Sequence, residues 1–174
     1  MQRIGFSQVE PNHMSGMVTG QIFAQLPVDT ADMGKVIENG RFAKYDIANG
    51  KVTTQGALPW LMIYNEEKLY DERLQSHKDF ALIQSEACDG EMYPRLFAVL
   101  LGDIFTTNAF GGKAAASNVD VVTFDALTEG DKVSINAKGF LVKAPATEGG
   151  MEFTVVKVYT MPDGQDGIKL MRTK

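Results

Sequence analysis

Turn-forming residues recur at short intervals along most of this chain, and that spacing limits what the chain can fold into. In its last third they occur as Glu129-Gly130, Lys138-Gly139, Gly149-Gly150 and Pro162-Asp-Gly164. The segments between them are short, apolar and rich in β-branched and aromatic residues, which is typical of strands. Strands at intervals of about ten residues with turns between them predict a sandwich or a barrel.

The same pattern predicts strands along the whole chain. The segment 60–64 is a compact apolar run between Pro59 and Asn65, so we expect a strand buried on both faces. Asn49-Gly50 predicts a type I′ hairpin turn, since both residue types tolerate a positive φ. Gly102-Asp103 predicts a bend within one long strand. The predicted strands are residues 19–26, 36–40, 41–46, 51–54, 60–64, 95–105, 119–124, 132–136, 139–143, 152–161 and 168–171.

The chain of 174 residues suits one domain, and it is long enough to bury a core without a disulfide or a metal. In residues 1–17 the apolar residues follow neither a helical nor a strand periodicity, which predicts an extended N-terminal arm. A single β-rich domain follows at 18–174. Within that domain residues 65–90 form an insertion. We expect it to contain a short helix at 66–75 with Asn65 as N-cap, or else an irregular set of turns. Residues 28–34 and 108–117 predict loops.

Apolar residues of the arm indicate that it packs against something, because burial of each could contribute about 1.5–3 kcal/mol. Two alternatives remain open at this point. The side chains cap the chain's own core, or they dock on a neighbouring subunit. The candidate contact residues are Ile4, Phe6, Val9, Met14 and Met17.

The charge distribution argues against a nucleic-acid partner. The net charge is −5, and no window supplies the clustered Lys and Arg that phosphate binding requires. Residues 65–90 carry three basic and seven acidic side chains, a net −4, which we interpret as a solvated face. No apolar run approaches the roughly 18 residues of a membrane span, and no secretory signal is evident.

The chain carries no recognisable catalytic, cofactor or metal motif. Its two histidines, His13 and His77, are far apart in sequence, and Cys88 has no partner cysteine, so neither a zinc site nor a disulfide is predicted. Phe110-Gly-Gly-Lys-Ala-Ala115 resembles the end of a P-loop but lacks its first glycine and its Ser or Thr. We therefore expect a protein that is not an enzyme and that is synthesised in a reducing cytoplasm.

Several segments together resemble small virion proteins of tailed bacteriophages, the capsid decoration or head-stabilising class. They are Gly20-Gln-Ile-Phe-Ala, Val36-Ile-Glu-Asn-Gly-Arg-Phe-Ala-Lys-Tyr-Asp, Gly102-Asp-Ile-Phe-Thr-Thr-Asn-Ala-Phe, Leu127-Thr-Glu-Gly-Asp-Lys-Val, Gly139-Phe-Leu-Val, and the closing segment that begins at Phe153. The resemblance covers most of the chain except residues 65–90. It implies a β-rich, non-enzymatic protein on the capsid surface of a virion, partnered by the major capsid protein, by copies of itself in a homo-oligomer such as a trimer, or by both.

On this basis we expect residues 1–17 to make the principal capsid contact, by pairing with an exposed strand edge while Ile4, Phe6 and Val9 fill pockets. Two other functions stay open. One is a β-barrel module that binds an oligonucleotide or a carbohydrate, and the other is a structural protein of the phage tail or neck.

Overall fold

The computed structural model of the chain describes residues 5–20, 22–65, 80–84, 90–109, 126–161 and 164–174. Within these residues the secondary structure is short strands and two one-turn helices. In chain order the elements are β1 Val9–His13, α1 Ser15–Val18, β2 Ile22–Phe23, α2 Thr30–Met33, β3 Val36–Glu38, β4 Phe42–Asp46, β5 Lys51–Thr53, β6 Leu61–Ile63, β7 Ala81–Ile83, β8 Leu96–Phe97, β9 Ile104–Thr107, β10 Lys132–Ile135, β11 Leu141–Val142, β12 Glu152–Thr160 and β13 Asp166–Arg172.

The protein is mainly β, as the sequence predicts, and its strands form three antiparallel sheets. The largest has six strands in the order β1-β9-β13-β12-β10-β11, the second has five in the order β2-β8-β6-β4-β5, and β3 pairs with β7 in a two-stranded ribbon. One core cluster contains side chains from both larger sheets, so these two sheets pack face to face as a sandwich. Of the two predicted architectures, a sandwich and a barrel, the structure adopts the sandwich.

The five-stranded sheet is the middle layer and is buried on both faces. Phe42 of β4 and Met62 of β6 belong to the core against the six-stranded sheet. The next residues, Ala43 and Ile63, point to the opposite face and belong to a second cluster with Ile37 of the ribbon. All five side chains are fully buried. The prediction for residues 60–64 is therefore confirmed, because successive side chains of a strand alternate between two apolar layers.

The predicted long strand at 95–105 is wrong in one respect, because its two apolar halves belong to different sheets. β8 lies in the five-stranded sheet and β9 in the six-stranded sheet. Between them the chain turns at Gly102, which has a φ of 85° and therefore occupies the left-handed region that favours glycine. The apolar run crosses the sandwich instead of following one of its layers.

Two other local predictions need correction. Asn49 does not have a positive φ, so Asn49-Gly50 is not a type I′ turn. Asp46 pairs with Lys51, which leaves a four-residue loop. The Asp46 carboxylate closes that loop by accepting hydrogen bonds from the N–H of Asn49 at 3.2 Å and from its side-chain amide at 2.6 Å.

The predicted loop at 28–34 contains α2, which begins after Asp29 because that side chain accepts a hydrogen bond from Ala31 N at 3.2 Å.

The insertion contributes a strand that the sequence did not predict. Within residues 65–90, β7 pairs with β3, with Val36 opposite Ile83 and Glu38 opposite Ala81. Of the segment predicted as strand 19–26, only β2 is a strand. The predicted helix at 66–75, Cys88, most of the loop at 108–117 and the strand at 119–124 lie outside the described residues.

Candidate docking surface

The structure places the predicted contact residues of the arm mainly inside the chain's own core. Val9 is 6% exposed and Met14 is 4% exposed, and both belong to the core between the two large sheets. Met17 packs against the same core, and Phe6 is half-buried. Ile4 lies outside the described residues. Of the two alternatives, Val9, Met14 and Met17 follow the first, because their apolar surface is already covered by this chain.

The strand β1 is also poorly suited to pair with another protein. It is extended as expected, but it forms the edge of the six-stranded sheet by pairing with β9. Pro11 in its middle has no N–H to donate, and the register shifts between Glu10 and His13. Proline and bulges at an edge strand discourage further strand addition. The outer edge of β1 is therefore unsuited to strand pairing with a partner.

Three exposed apolar side chains lie on two segments that are hydrogen-bonded to the same residue, α1 and the turn between β8 and β9. Val18 at the end of α1 is 86% exposed, Leu101 in the turn is 69% exposed, and Leu100 is 38% exposed. We refer to Val18, Leu100 and Leu101 as the apolar patch. Such side chains gain nothing from folding when they face water, so we take these three as a candidate docking surface.

The buried carboxylate of Asp103 holds the two parts of the patch together. Asp103 is 1% exposed. One of its oxygens accepts hydrogen bonds from Ser15 N at 3.0 Å and from Ser15 Oγ at 2.7 Å. The other oxygen accepts a hydrogen bond from Leu100 N at 2.7 Å. Ser15 begins the helix that ends at Val18, so a single side chain fixes both the helix and the turn.

Backbone contacts fix the same junction from two further sides. Gly16 lies so close to β8 that a Cβ there would be 2.6 Å from the carbonyl oxygen of Ala98, so only glycine fits. On the other side, Gly102 N donates to Arg172 O at 2.9 Å, and the Arg172 guanidinium donates to the carbonyl of Val99. The apolar patch is thus held on a rigid frame, and little conformational entropy remains to be lost when it binds.

Sequence reasoning missed this patch for an identifiable reason. Leu100 and Leu101 continue the apolar run 96–99, and a short continuous apolar run in a sequence is typical of a buried strand. The available signal was the Gly102-Asp103 pair directly after them, since a turn at that point brings the preceding residues to the surface.

Lys44, Lys143 and Lys157 do not form a cationic groove for a nucleic acid. Lys44 lies over the Trp60 ring at 4.4 Å and Lys157 over the Tyr159 ring at 5.8 Å. Lys143 forms an ion pair with Asp131 at 2.7 Å, which with the backbone N–H of Thr128 lowers the pKa of that carboxyl. Lys44 lies on β4 and Lys157 on β12, in two different sheets, and Lys143 directly follows β11; each interacts with another side chain of the protein.

The described part of the chain contains no group of three His, Cys, Asp or Glu side chains arranged to hold a metal ion. Among the same residues, no helix has the length and apolar character of a membrane span. Comparison of the chain with protein-family models, with curated proteins and with solved structures gives no significant match in any of the three.

Proposed function

We propose that this chain is a non-enzymatic structural protein of a tailed-phage virion that binds the exterior of the capsid and stabilises or decorates it. The observation that carries the proposal is the apolar patch, three exposed apolar side chains on a frame fixed by Asp103. The resemblance of the sequence to capsid decoration proteins supplies the class of partner, the major capsid protein.

The patch replaces the arm as the proposed contact. Burying a Val or Leu side chain contributes about 1.5–3 kcal/mol, so three such side chains support a contact of modest affinity. Modest affinity at each site is sufficient on a capsid, because the shell repeats the same site many times and oligomers of the decorating chain would bind several of them together. The rigid frame raises the affinity further, since the patch needs no ordering on binding.

Co-sedimentation tests the proposal. Particles of the encoding phage that lack this protein are mixed with the purified chain and pelleted at about 0.05 M and about 0.5 M salt. We expect saturable binding that is nearly unchanged by salt, because the contact is apolar. Absence of the chain from the pellet at both salt concentrations would contradict the proposal.

Two control measurements separate the alternatives. Binding to single-stranded oligonucleotides that falls steeply with salt would instead indicate a nucleic-acid module. Cryo-electron microscopy of particles carrying the labelled chain distinguishes the capsid surface from the tail or neck. Density confined to the tail or neck would contradict capsid decoration while keeping a structural role.

A further inference from the structure

A cavity of about 510 Å³ lies between α2, β3 and the turn that joins β10 to β11. Its walls are apolar at Met33, Val36 and Phe140. Its cationic groups are Lys35, Arg41 and Lys138. None of these residues belongs to the apolar patch, so the cavity is a separate site.

The guanidinium of Arg41 is the most buried of these cationic groups and is held in one orientation. Arg41 is 8% exposed. Its Nη1 donates to the carbonyl of Met33 at 2.6 Å, and its Nε donates to the carbonyl of Lys138 at 3.3 Å. The guanidinium lies 4.7 Å from the centre of the Phe140 ring. Two backbone carbonyls and an aromatic face therefore fix the plane of the group.

This arrangement leaves donors of Arg41 available. Nη2 makes no hydrogen bond with any described residue, and it is not among the buried polar atoms that lack a partner, so solvent reaches it. Lys35 at the rim is exposed and forms no ion pair within the described part of the chain. A fixed guanidinium with a solvent-accessible Nη2 is suited to an anion, because Nη2 can donate a charge-assisted hydrogen bond to one carboxylate oxygen while a second cation binds the other.

The acidic residues of the cavity are already occupied. Asp32 accepts hydrogen bonds from Thr53 Oγ1 at 2.7 Å and from Thr54 N at 2.6 Å, and its carboxylate lies 3.9 Å from Lys138 Nζ. Glu38 accepts a hydrogen bond from Ser7 Oγ at 3.0 Å. Three cations and two carboxylates leave a net charge of +1 in the lining. One monovalent anion balances that charge, whereas a doubly charged phosphate would exceed it by one.

We propose that this cavity binds a carboxylate whose attached apolar group lies against Met33, Val36 and Phe140, with Arg41 Nη2 and the Lys35 ammonium as its donors. The carboxylate has two possible sources, a free small organic acid or an acidic side chain of a polypeptide. The shared chemistry is a planar monoanion next to an apolar group. The site is independent of the proposed capsid contact.

Benzoate is the probe for this site, because it joins a carboxylate to a flat apolar ring. Titration is followed by the ¹H–¹⁵N resonance of Arg41 Nε, assigned from its loss in Arg41→Lys. We expect saturable binding and a shift of that resonance, with benzamide binding at least about tenfold more weakly because it lacks the charge. Phenyl phosphate is expected to bind more weakly than benzoate. Lys35→Gln should weaken benzoate severalfold, and Lys157→Gln, on a different sheet, should not.

The source of the carboxylate is tested with the peptide acetyl-Phe-Asp-amide, whose only carboxylate is a side chain. Tighter binding of the peptide than of benzoate indicates a polypeptide partner, and the reverse indicates a small acid. Equal binding of benzoate and benzamide would overturn the proposal, and so would an unshifted Arg41 resonance at saturating benzoate. Lys35 is exposed, so Lys35→Gln is expected to fold, and full benzoate affinity in that variant would also contradict the proposal.

Discussion

At the scale of single residues, two buried or half-buried carboxylates organise separate parts of the molecule. Asp103 joins α1 to the turn between β8 and β9, and Asp32 joins α2 to the end of β5. Each accepts several hydrogen bonds, and hydrogen bonds to a charged group are worth about 1.5–3 kcal/mol each. Single substitutions at these positions should therefore loosen whole segments.

Asp32→Asn should lower the free energy of unfolding by about 2 kcal/mol at neutral pH, because the amide has one acceptor oxygen where the carboxylate has two and carries no charge to strengthen the hydrogen bonds from Thr53 and Thr54. The difference from wild type should depend on pH. Burial of Asp32 opposes ionisation, but the hydrogen bonds from Thr54 and Thr53 outweigh it, and the pKa of Asp32 is lowered. Its contribution is therefore complete above the unfolded pKa of about 3.9 and is lost as pH falls through the lower folded-state pKa.

Urea denaturation between about pH 7 and pH 2 measures this difference. Glu129→Gln is the control, since Glu129 is exposed and its side chain forms no hydrogen bond or ion pair within the described residues. A stability deficit of Asp32→Asn that stays constant down to the lowest pH would contradict the role given to this carboxylate.

At the scale of elements, the hairpin turn between β10 and β11 connects the two large sheets. Gly139 lies in that turn, and Phe42 N donates to its carbonyl at 2.8 Å. A Cβ at Gly139 would lie 2.0 Å from the carbonyl oxygen of Phe42, and the φ of 80° is itself unfavourable for other residues. The turn can contact β4 this closely only because residue 139 has no side chain.

Gly139→Ala should therefore cost more stability than a glycine replacement that strains the backbone alone. Gly130→Ala is the matched control, because Gly130 has a φ of 88° and open space where a Cβ would be. We expect Gly130→Ala to lower the free energy of unfolding by about 1–2 kcal/mol, and Gly139→Ala to lower it by at least about 2 kcal/mol more. Equal losses of unfolding free energy in the two variants would show that the turn does not depend on this contact.

The elements also show which features could be predicted from the sequence. The strand at Leu61–Ile63 was predictable because its apolar run is short and bounded by Pro59 and Asn65. The division of residues 95–105 between two sheets was not predictable, because an apolar sequence indicates that residues are buried but does not indicate in which layer. The apolar patch was hidden by the same ambiguity, since Leu101 is as apolar as the core leucines and yet is 69% exposed.

The Arg41 cavity had even less of a sequence signal. Its parts come from residues 31–41 and from 138–140, about a hundred positions apart in the chain. Nothing in a single sequence indicates that Arg41 lies over Phe140, since that contact arises only when the turn between β10 and β11 packs on β4. Contacts between distant segments are decided by the packing of the whole sandwich.

At the scale of the whole molecule, the N-terminal segment is part of the sandwich. Met14→Ala should lower the free energy of unfolding by about 2–5 kcal/mol, because Met14 is 4% exposed within the main core. The neighbouring control Val18→Ala, at 86% exposure, should change it by less than about 0.5 kcal/mol. A Met14→Ala variant as stable as wild type would return residues 1–17 to the role of a docking arm.

The capsid contact is tested most directly by placing a charge in the apolar patch. Leu101→Asp is compared with Ile47→Asp, an equally exposed apolar position at 71% in the loop between β4 and β5. Both variants should unfold like wild type, because neither side chain is buried. In co-sedimentation with particles that lack this protein, we expect Leu101→Asp to raise the Kd at least about tenfold, which corresponds to about 1.4 kcal/mol. Ile47→Asp should bind as wild type does. Wild-type occupancy by Leu101→Asp would contradict the proposed contact.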